Sequence, residues 1–198
     1  TGSYNVGIGV NVLASNTTAD GNTAVGTNAM IGNTTGSENA AVGAYSLDAN
    51  TTGIYNTAIG YNALSAITTG ERCTAVGRAA LTNNTANNNT AVGMNAAESN
   101  TSGDSNTAIG AKAGNKTTTG TNNTSVGKDT FFTNTTGSNN TAVGKDALGA
   151  NTTGGSNTSI GKDAGVGCTT GSNNTFLGHN AGSAGVGNVQ TGSNNVCI

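Results

Sequence analysis

The seventeen residues Asn140–Ser156, NTAVGKDALGANTTGGS, are the repeating unit of this chain. About eleven variants of the unit follow one another, and we number the positions of each from slot 1 to slot 17. A fixed period near 20 residues indicates a repeat architecture. Repeats 1 to 12 begin, in order, at Asn5, Asn22, Asn39, Asn56, Cys73, Asn89, Asn106, Asn123, Asn140, Asn157, Asn174 and Asn195.

Successive repeats start 17 residues apart with two exceptions. The repeat 73–88 lacks the Gly of slot 15, and the repeat 174–194 carries four extra residues. We therefore expect residues 1–198 to form a single repeat array with irregular coils at these two places. Neither end shows a recognisable capping sequence, so we expect the array to be an excerpt of a longer chain.

Slots 2 to 5 predict a short strand followed by a turn. Slot 4 is always aliphatic, slot 3 is small in nearly every repeat, and slot 5 is Gly wherever it is present. Alternation places slots 2 and 4 on one face of the strand and slot 3 on the other. We expect slots 2 and 4 to face the interior. The Gly of slot 5 ends the strand, where the backbone needs a φ that other residues resist.

The rest of each repeat predicts the return path of one coil. Slots 8 and 9 read Ala-Leu in several repeats, as in Ala147 and Leu148, which predicts a second short strand. Slots 12 to 15 read Asn-Thr-Thr-Gly, a turn whose side chains bond their own backbone. The predicted fold class is all-β, a repeat β-solenoid or parallel β-roll with about 17 residues per coil.

Identical slots stack along such a rod. Coils rise by about 4.8 Å each, so eleven coils make a rod of roughly 50 Å. Asn at slots 1 and 12 then predicts hydrogen-bonded ladders along the rod, as in stacked cross-β structures.

The core of a single roll is thin. Ordering each residue costs ~1–2 kcal/mol of backbone entropy, whereas each buried aliphatic side chain returns only ~1.5–3 kcal/mol. If slot 3 faces outward, its small residues need a reason, and the close approach of another chain supplies one. We therefore expect a homotrimer around a fibre axis.

Composition argues against several classes of protein. The net charge is −2 and the sequence contains no basic stripe, so we expect no nucleic-acid binding. No apolar run is long enough to predict membrane insertion. His179 is the only histidine and no nucleophile–base pair can be assembled, so we expect no metal, no cofactor and no enzyme activity. The three cysteines lie two or more coils apart, too far for an intrachain disulfide.

Slots 6 and 7 vary most and supply the candidate surface residues. Three consecutive repeats carry Lys-Asp in these slots, which predicts a basic line beside an acidic line. Such a strip is either a solvated edge that discourages aggregation or a surface that faces a carbohydrate or receptor. Two tyrosines flanking the strand of repeat 4 either stack on a sugar or pack on turns. The candidate surface-ligand strip is Tyr55, Tyr61, Lys128, Asp129, Lys145, Asp146, Lys162, Asp163 and His179.

The strand motif also resembles a known group of proteins. NVGIG at Asn5–Gly9, and NTAVG or NTAIG elsewhere, resembles the SVAIG-type core of trimeric autotransporter adhesin heads, the YadA-like head repeat. The longer pattern TTGxxNTAVGxxAL resembles repeats of bacteriophage tail-fibre shafts. These resemblances cover nearly the whole chain and imply a trimeric parallel β-roll that binds host surfaces or carries a receptor-binding tip.

The leading hypothesis is therefore a structural and adhesive segment of an extracellular fibre, on a cell surface or virion. Its partners would be further copies of itself and a cell-surface glycan or receptor. A self-assembling extracellular filament differs only in lacking a separate tip. An ice-binding solenoid would use Thr ladders at slots 2, 13 and 14 as a flat face, but an inward slot 2 argues against it. A polysaccharide-cleaving β-helix would need clustered acids in a groove, and the Lys-Asp strip is too regular for that.

Overall fold

A computed structural model describes residues 2–183 and 189–198, and throughout these ranges the chain is an all-β parallel solenoid. Each repeat makes one coil and contributes one strand to a single twelve-stranded sheet, in the order β1 to β12. The strands are β1 Val6–Ile8, β2 Thr23–Val25, β3 Ala40–Val42, β4 Thr57–Ile59, β5 Thr74–Val76, β6 Thr90–Val92, β7 Thr107–Ile109, β8 Thr124–Val126, β9 Thr141–Val143, β10 Thr158–Ile160, β11 Thr175–Leu177 and β12 Val196–Cys197.

Every strand pairs with the next one slot for slot, even across the short repeat. Thr74 of β5 pairs with Thr90 of β6, although only sixteen residues separate them. In this repeat the carbonyl of Ala86 accepts the Asn84 side-chain amide, a role that the Gly of slot 15 fills elsewhere. The missing residue is therefore absorbed in the turn, and the sheet keeps its register.

The long repeat also rejoins the sheet in register. Thr175 of β11 pairs with Val196 of β12. The irregular coil predicted at 174–194 includes residues 184–188, which lie outside the described residues. Thr169 donates its backbone N–H to the carbonyl of Gln190, so the coil contacts resume beyond that run.

The prediction that slots 2 and 4 face the interior was wrong. Ala58 and Ala142 at slot 3 are fully buried, whereas Ile59 at slot 4 is 42% exposed. The alternation is as expected but its phase is reversed, because the slot-9 side chains already fill the narrow interior and leave room only for a small residue from the strand. Slot 3 is small because it packs inside its own chain, and the argument for a trimer that rested on an outward slot 3 fails.

One repeat shows directly how narrow the interior is. Phe176 is the only large residue at slot 3, and it is fully buried. The slot-9 positions beside it are Gly165 and Gly182, where most other repeats have a large apolar residue such as Leu148. A Cβ on Gly165 would lie only 2.6 Å from the Phe176 ring. Slots 3 and 9 therefore share one volume across the interior: Phe at slot 3 requires Gly at slot 9, whereas Leu at slot 9 needs only a small residue at slot 3.

The second strand predicted at slots 8 and 9 does not form. Asp146 and Leu148, at slots 7 and 9, both adopt left-handed backbone conformations, with φ of 58° and 49°. The segment is instead a compact turn that buries Ala147 and Leu148. It still bonds to its neighbour, since Leu148 donates its N–H to the carbonyl of Ala164 at 3.0 Å.

The asparagine ladders are confirmed. At slot 1, the Oδ1 of Asn140 accepts the backbone N–H of Asn157 at 2.9 Å, and its Nδ2 donates to the carbonyl of Gly154 at 2.9 Å. At slot 12, Asn50 Nδ2 donates to Asn33 Oδ1 at 2.8 Å. These side chains are buried, so the interior combines apolar contacts with polar groups that bond from coil to coil.

Two steps of the slot-12 ladder, Asn16 to Asn33 and Asn134 to Asn151, lack the bond although both residues are asparagine. Three further breaks come from a residue other than asparagine, and each leaves an acceptor without a donor. The asparagine before each of these three breaks has a buried Oδ1 with no hydrogen bond: Asn50 before Ile67, Asn100 before Thr117, and Asn151 before Cys168. A buried acceptor without a partner costs about 1–3 kcal/mol. These breaks are therefore weak points of the array.

Thr117→Asn is expected to raise the free energy of unfolding by about 1 kcal/mol. The new amide can donate to Asn100 Oδ1, and a void of about 10 Å³ beside Thr117 offers room for it. Urea denaturation followed by circular dichroism measures the change. Thr119→Asn, at an exposed position of the same turn, is the control and should change nothing. A loss of stability in Thr117→Asn would contradict the ladder account.

Candidate functional surfaces

Two surfaces of the rod are candidates for function, and the first is the outward face of the sheet. We call the outward side chains of slots 2 and 4 the sheet face. The slot-4 residues Val42, Ile59 and Ile109 are 40%, 42% and 40% exposed, and the in-phase register stacks them in one column beside a column of threonines. Three-residue strands over eleven spacings give a face of roughly 500 Å² in outline, which the aliphatic and threonine columns share. A contiguous column of partly exposed aliphatic side chains is a candidate interaction site.

The threonines of the sheet face keep their hydroxyls available. Within the described residues, the slot-2 hydroxyls, such as that of Thr57, make no hydrogen bond to the protein. The hydroxyls at slot 13 differ, since Thr135 Oγ1 donates to the carbonyl of Thr152 at 3.0 Å. The slot-13 column therefore bonds the coils together, whereas the slot-2 column faces outward.

The second surface is a groove that follows the rod between slot 7 and slots 10 and 11. It belongs to the turn segment that packs across the interior from the sheet. Two open stretches of this groove, both within residues 2–183, contain the candidate residues. Between them, in repeat 6, Asn95 Nδ2 donates to Glu98 Oε2 at 2.6 Å, which ties slot 7 to slot 10 and joins the two rims.

The first open stretch, which we call the tyrosine stretch, spans repeats 3 to 5 and is a shallow depression of about 380 Å³. The rings of Tyr45 and Tyr61 meet edge to face, with centroids 6.0 Å apart. Asp48 Oδ1 is buried there without a hydrogen-bond partner, and burial raises the pKa of this carboxyl. The lining residues are Tyr45, Asp48, Tyr61, Asn62, Ser65, Ala66, Thr82 and Asn83.

Of the two tyrosines that the sequence analysis named as candidates, Tyr61 belongs to this pair and Tyr55 does not. Tyr55 lies at slot 17, outside the groove lining, with the Arg72 guanidinium 5.9 Å from its ring centroid. The true neighbour of Tyr61 is Tyr45, which was not among the candidates. The sequence did contain a signal for this contact, because the slot numbering places Tyr45 and Tyr61 in adjoining slots of consecutive repeats.

The second open stretch contains the Lys-Asp strip. The predicted pairing of basic and acidic lines is present, with Nζ–Oδ2 distances of 3.4 Å for Lys128–Asp129, 3.0 Å for Lys145–Asp146 and 2.6 Å for Lys162–Asp163. All three lysines are exposed, so each pair contributes little to stability. Phe132 and Val166 line the same stretch beside the three aspartates, which gives it an apolar floor with acidic rims.

Charge in this strip is balanced locally. The hydrogen bond from Lys162 holds the pKa of Asp163 below its ordinary value, and the bond to Asp146 raises the pKa of Lys145. His179 Nε2 lies 3.9 Å from Asp163 Oδ2 at the end of the strip. No cluster of three or more His, Cys, Asp or Glu side chains suited to a metal ion occurs among residues 2–183 and 189–198.

The three thiols are free in the structure and differ in exposure. Cys73 and Cys168 are buried, and burial raises the pKa of both, whereas Cys197 is half-buried. Since the thiolate is the reactive form, we expect one thiol in three to react quickly with a disulfide reagent at pH 8. In denaturant, colorimetric titration should detect three reactive thiols per chain. Three fast thiols in the folded protein would contradict this assignment.

The described ranges contain no helix that is both long and apolar enough to cross a membrane. No family model matches the chain, and no curated protein or solved structure is significantly similar to it.

Proposed function

We propose that the chain is a structural and adhesive segment of an extracellular or virion fibre, in which copies of the chain associate through the sheet face. The observation that carries this proposal is the unbroken outward column of slot-4 aliphatic side chains. In a monomer whose sheet faces water, the side chains along a strand would alternate between apolar residues that point inward and polar residues that point outward. Here the exterior of the sheet is the more aliphatic side.

The sheet face is large enough to support association. Burying the exposed part of one slot-4 side chain contributes on the order of 1 kcal/mol. Repeated over eleven levels, this contribution is comparable with the roughly 4–15 kcal/mol that association costs in lost motion. Three copies with their sheet faces turned to a common axis are the arrangement that the resemblance to trimeric fibre repeats favours, and the sheet face takes over the role first given to slot 3.

In such a fibre the groove stays open to the surroundings. It belongs to the segment across the interior from the sheet, so the tyrosine stretch of repeats 3 to 5 and the Lys-Asp strip of repeats 8 to 10 would both face outward. These surfaces are where a cell-surface glycan or receptor would bind. The proposal assigns no catalytic role and invokes no cofactor, nucleic acid or membrane insertion.

Small-angle X-ray scattering tests the fibre arrangement. The expected particle is a rod of about 50 Å with a cross-section that holds three chains. A cross-section that holds only one chain would overturn the proposal.

A second candidate function is ice binding by the same face. The observation that favours it is the outward slot-2 threonine column, whose hydroxyls make no hydrogen bond within the described chain, on a flat and regular sheet. The inward slot 2 that argued against this hypothesis is not what the structure has. This candidate requires a monomer with an exposed sheet face. Thermal hysteresis above that of an inert protein of equal concentration would support it, and a face buried between chains would exclude it.

A further inference from the structure

The tyrosine stretch presents two exposed aromatic rings side by side. Tyr45 and Tyr61 are 38% and 49% exposed, and their rings form one angled wall at an interplanar angle of 79°. Tyrosine combines an apolar ring with a polar hydroxyl, which suits a surface that is partly wet. The C–H face of a pyranose ring is apolar and packs on such a ring, while its hydroxyls reach past it.

The floor beside this wall offers unfilled hydrogen-bonding capacity. The carboxylate of Asp48 is half-buried and lines the stretch. No side chain of the described residues donates a hydrogen bond to it, so it can accept from a ligand. Asn62 and Asn83 line the same stretch with amides, which can both donate and accept. A ligand hydroxyl would donate to Asp48 and exchange further bonds with the two amides.

The lining also defines the charge and length of the ligand. It contains no lysine or arginine, so it offers no counter-charge to an acidic group. Its hydroxyl and amide groups match a neutral polar ligand. From Tyr45 in repeat 3 to Asn83 in repeat 5 the stretch covers two coil spacings, about 10 Å. That length accommodates two pyranose rings laid along the rod.

We infer that the tyrosine stretch binds a neutral oligosaccharide, with one ring packed on Tyr61 and a hydroxyl bonded to Asp48. This inference names a ligand class for the adhesive part of the proposed function. It does not depend on how copies of the chain associate, because the site lies within one chain. Light scattering reports association and glycan binding reports the groove, so the failure of one proposal is distinguishable from the failure of the other.

The test uses the whole chain on a printed array of neutral, sialylated and sulfated oligosaccharides. The neutral oligosaccharide with the strongest signal is then titrated in solution by calorimetry. We expect neutral glycans to be bound and charged ones to be weaker. A lysine-rich peptide serves as a second probe, because an unpaired carboxylate beside two aromatic rings is also a feature that attracts cations.

The variants are taken from residues that the same slots carry in other repeats, so that the fold is kept. Tyr61→Ala copies the slot-6 residue Ala44, and Tyr45→Asn copies the slot-7 residue Asn28. Each is expected to weaken glycan binding at least tenfold. The matched control is Tyr55→Asn, which copies the slot-17 residue Asn139 and removes an equally exposed tyrosine outside the groove.

Asp48→Asn gives a second readout that a purely structural role would not produce. Removing a half-buried charge that burial disfavours is expected to raise the melting temperature at pH 7, while replacing a charged acceptor by a neutral one weakens glycan binding. The inference is overturned if no neutral glycan binds, if charged glycans or the lysine-rich peptide bind in preference, or if Tyr61→Ala binds as tightly as the unaltered chain.

Discussion

Replacing Gly93 with alanine is expected to destroy the cooperative folding of the array. Gly93 occupies slot 5 with φ of 134°, a conformation that costs an L-residue about 1–3 kcal/mol. Its added Cβ would also lie 2.5 Å from the carbonyl oxygen of Gly110 in the next coil. That oxygen is backbone and cannot move without breaking the stack, so the total cost should exceed about 4 kcal/mol.

Gly178→Ala separates the two contributions to this cost. Gly178 has a similar φ of 120°, but no described atom lies within 4 Å of the Cβ it would gain. Gly178→Ala should therefore lose only the stability that corresponds to the conformational cost, about 1–3 kcal/mol. Thermal unfolding by circular dichroism compares the two variants. Equal losses of melting temperature would show that the contact between stacked glycines is not what restricts slot 5.

The second large effect is expected at the sheet face. Changing the slot-4 residues Ile59, Val92 and Ile109 together to lysine should reduce the particle to a folded monomer. Three charges would then face an interface that has no carboxylate at slot 2 or slot 4 of these repeats to pair with them. Because slot 4 points outward, the circular dichroism spectrum should stay that of the unaltered chain.

The matched control places the same charges elsewhere in the same repeats. Thr69, Ser102 and Thr119 are exposed slot-14 residues, and changing them to lysine should leave the oligomer intact. If both triple variants keep the oligomer, the sheet face is not the interface. If the slot-4 variant unfolds, its side chains carry more of the stability of one coil than their exposure implies.

Much of the architecture was predictable because the period is strict. The constant aliphatic residue at slot 4 and the Gly at slot 5 gave the strand and its end in every repeat. Asn at slots 1 and 12 gave the ladders, since stacked amides bond to one another in any parallel array. These features depend only on identical residues being stacked in register.

The sequence did not reveal which face of the strand points into the interior, because a pattern such as Thr-Ala-Val is compatible with either orientation. Hydrophobicity favoured slot 4 as the interior position, but the narrow interior accommodates the small residue of slot 3 instead. The exchange of size between Phe176 and Gly165 was a signal in the sequence that would have settled the question. Left-handed conformations at residues such as Leu148 were not visible, since such residues usually avoid them.

The candidate site was predicted only in part, because it depends on contacts between repeats. The Lys-Asp pairs lie within one repeat and were found directly. The contact of Tyr45 with Tyr61 needs the register of neighbouring coils, and the buried Asp48 oxygen needs the shape of the turn. The residues that sequence reasoning missed are therefore those whose environment is built by two coils together.

Light scattering coupled to size-exclusion chromatography tests the central claim most directly. The claim is that the outward sheet face joins copies of this chain. The account predicts an elongated particle with a mass three times the 19.1 kDa of one chain. A well-folded particle of 19.1 kDa would contradict it, and the exposed threonine and aliphatic columns would then belong to a monomer.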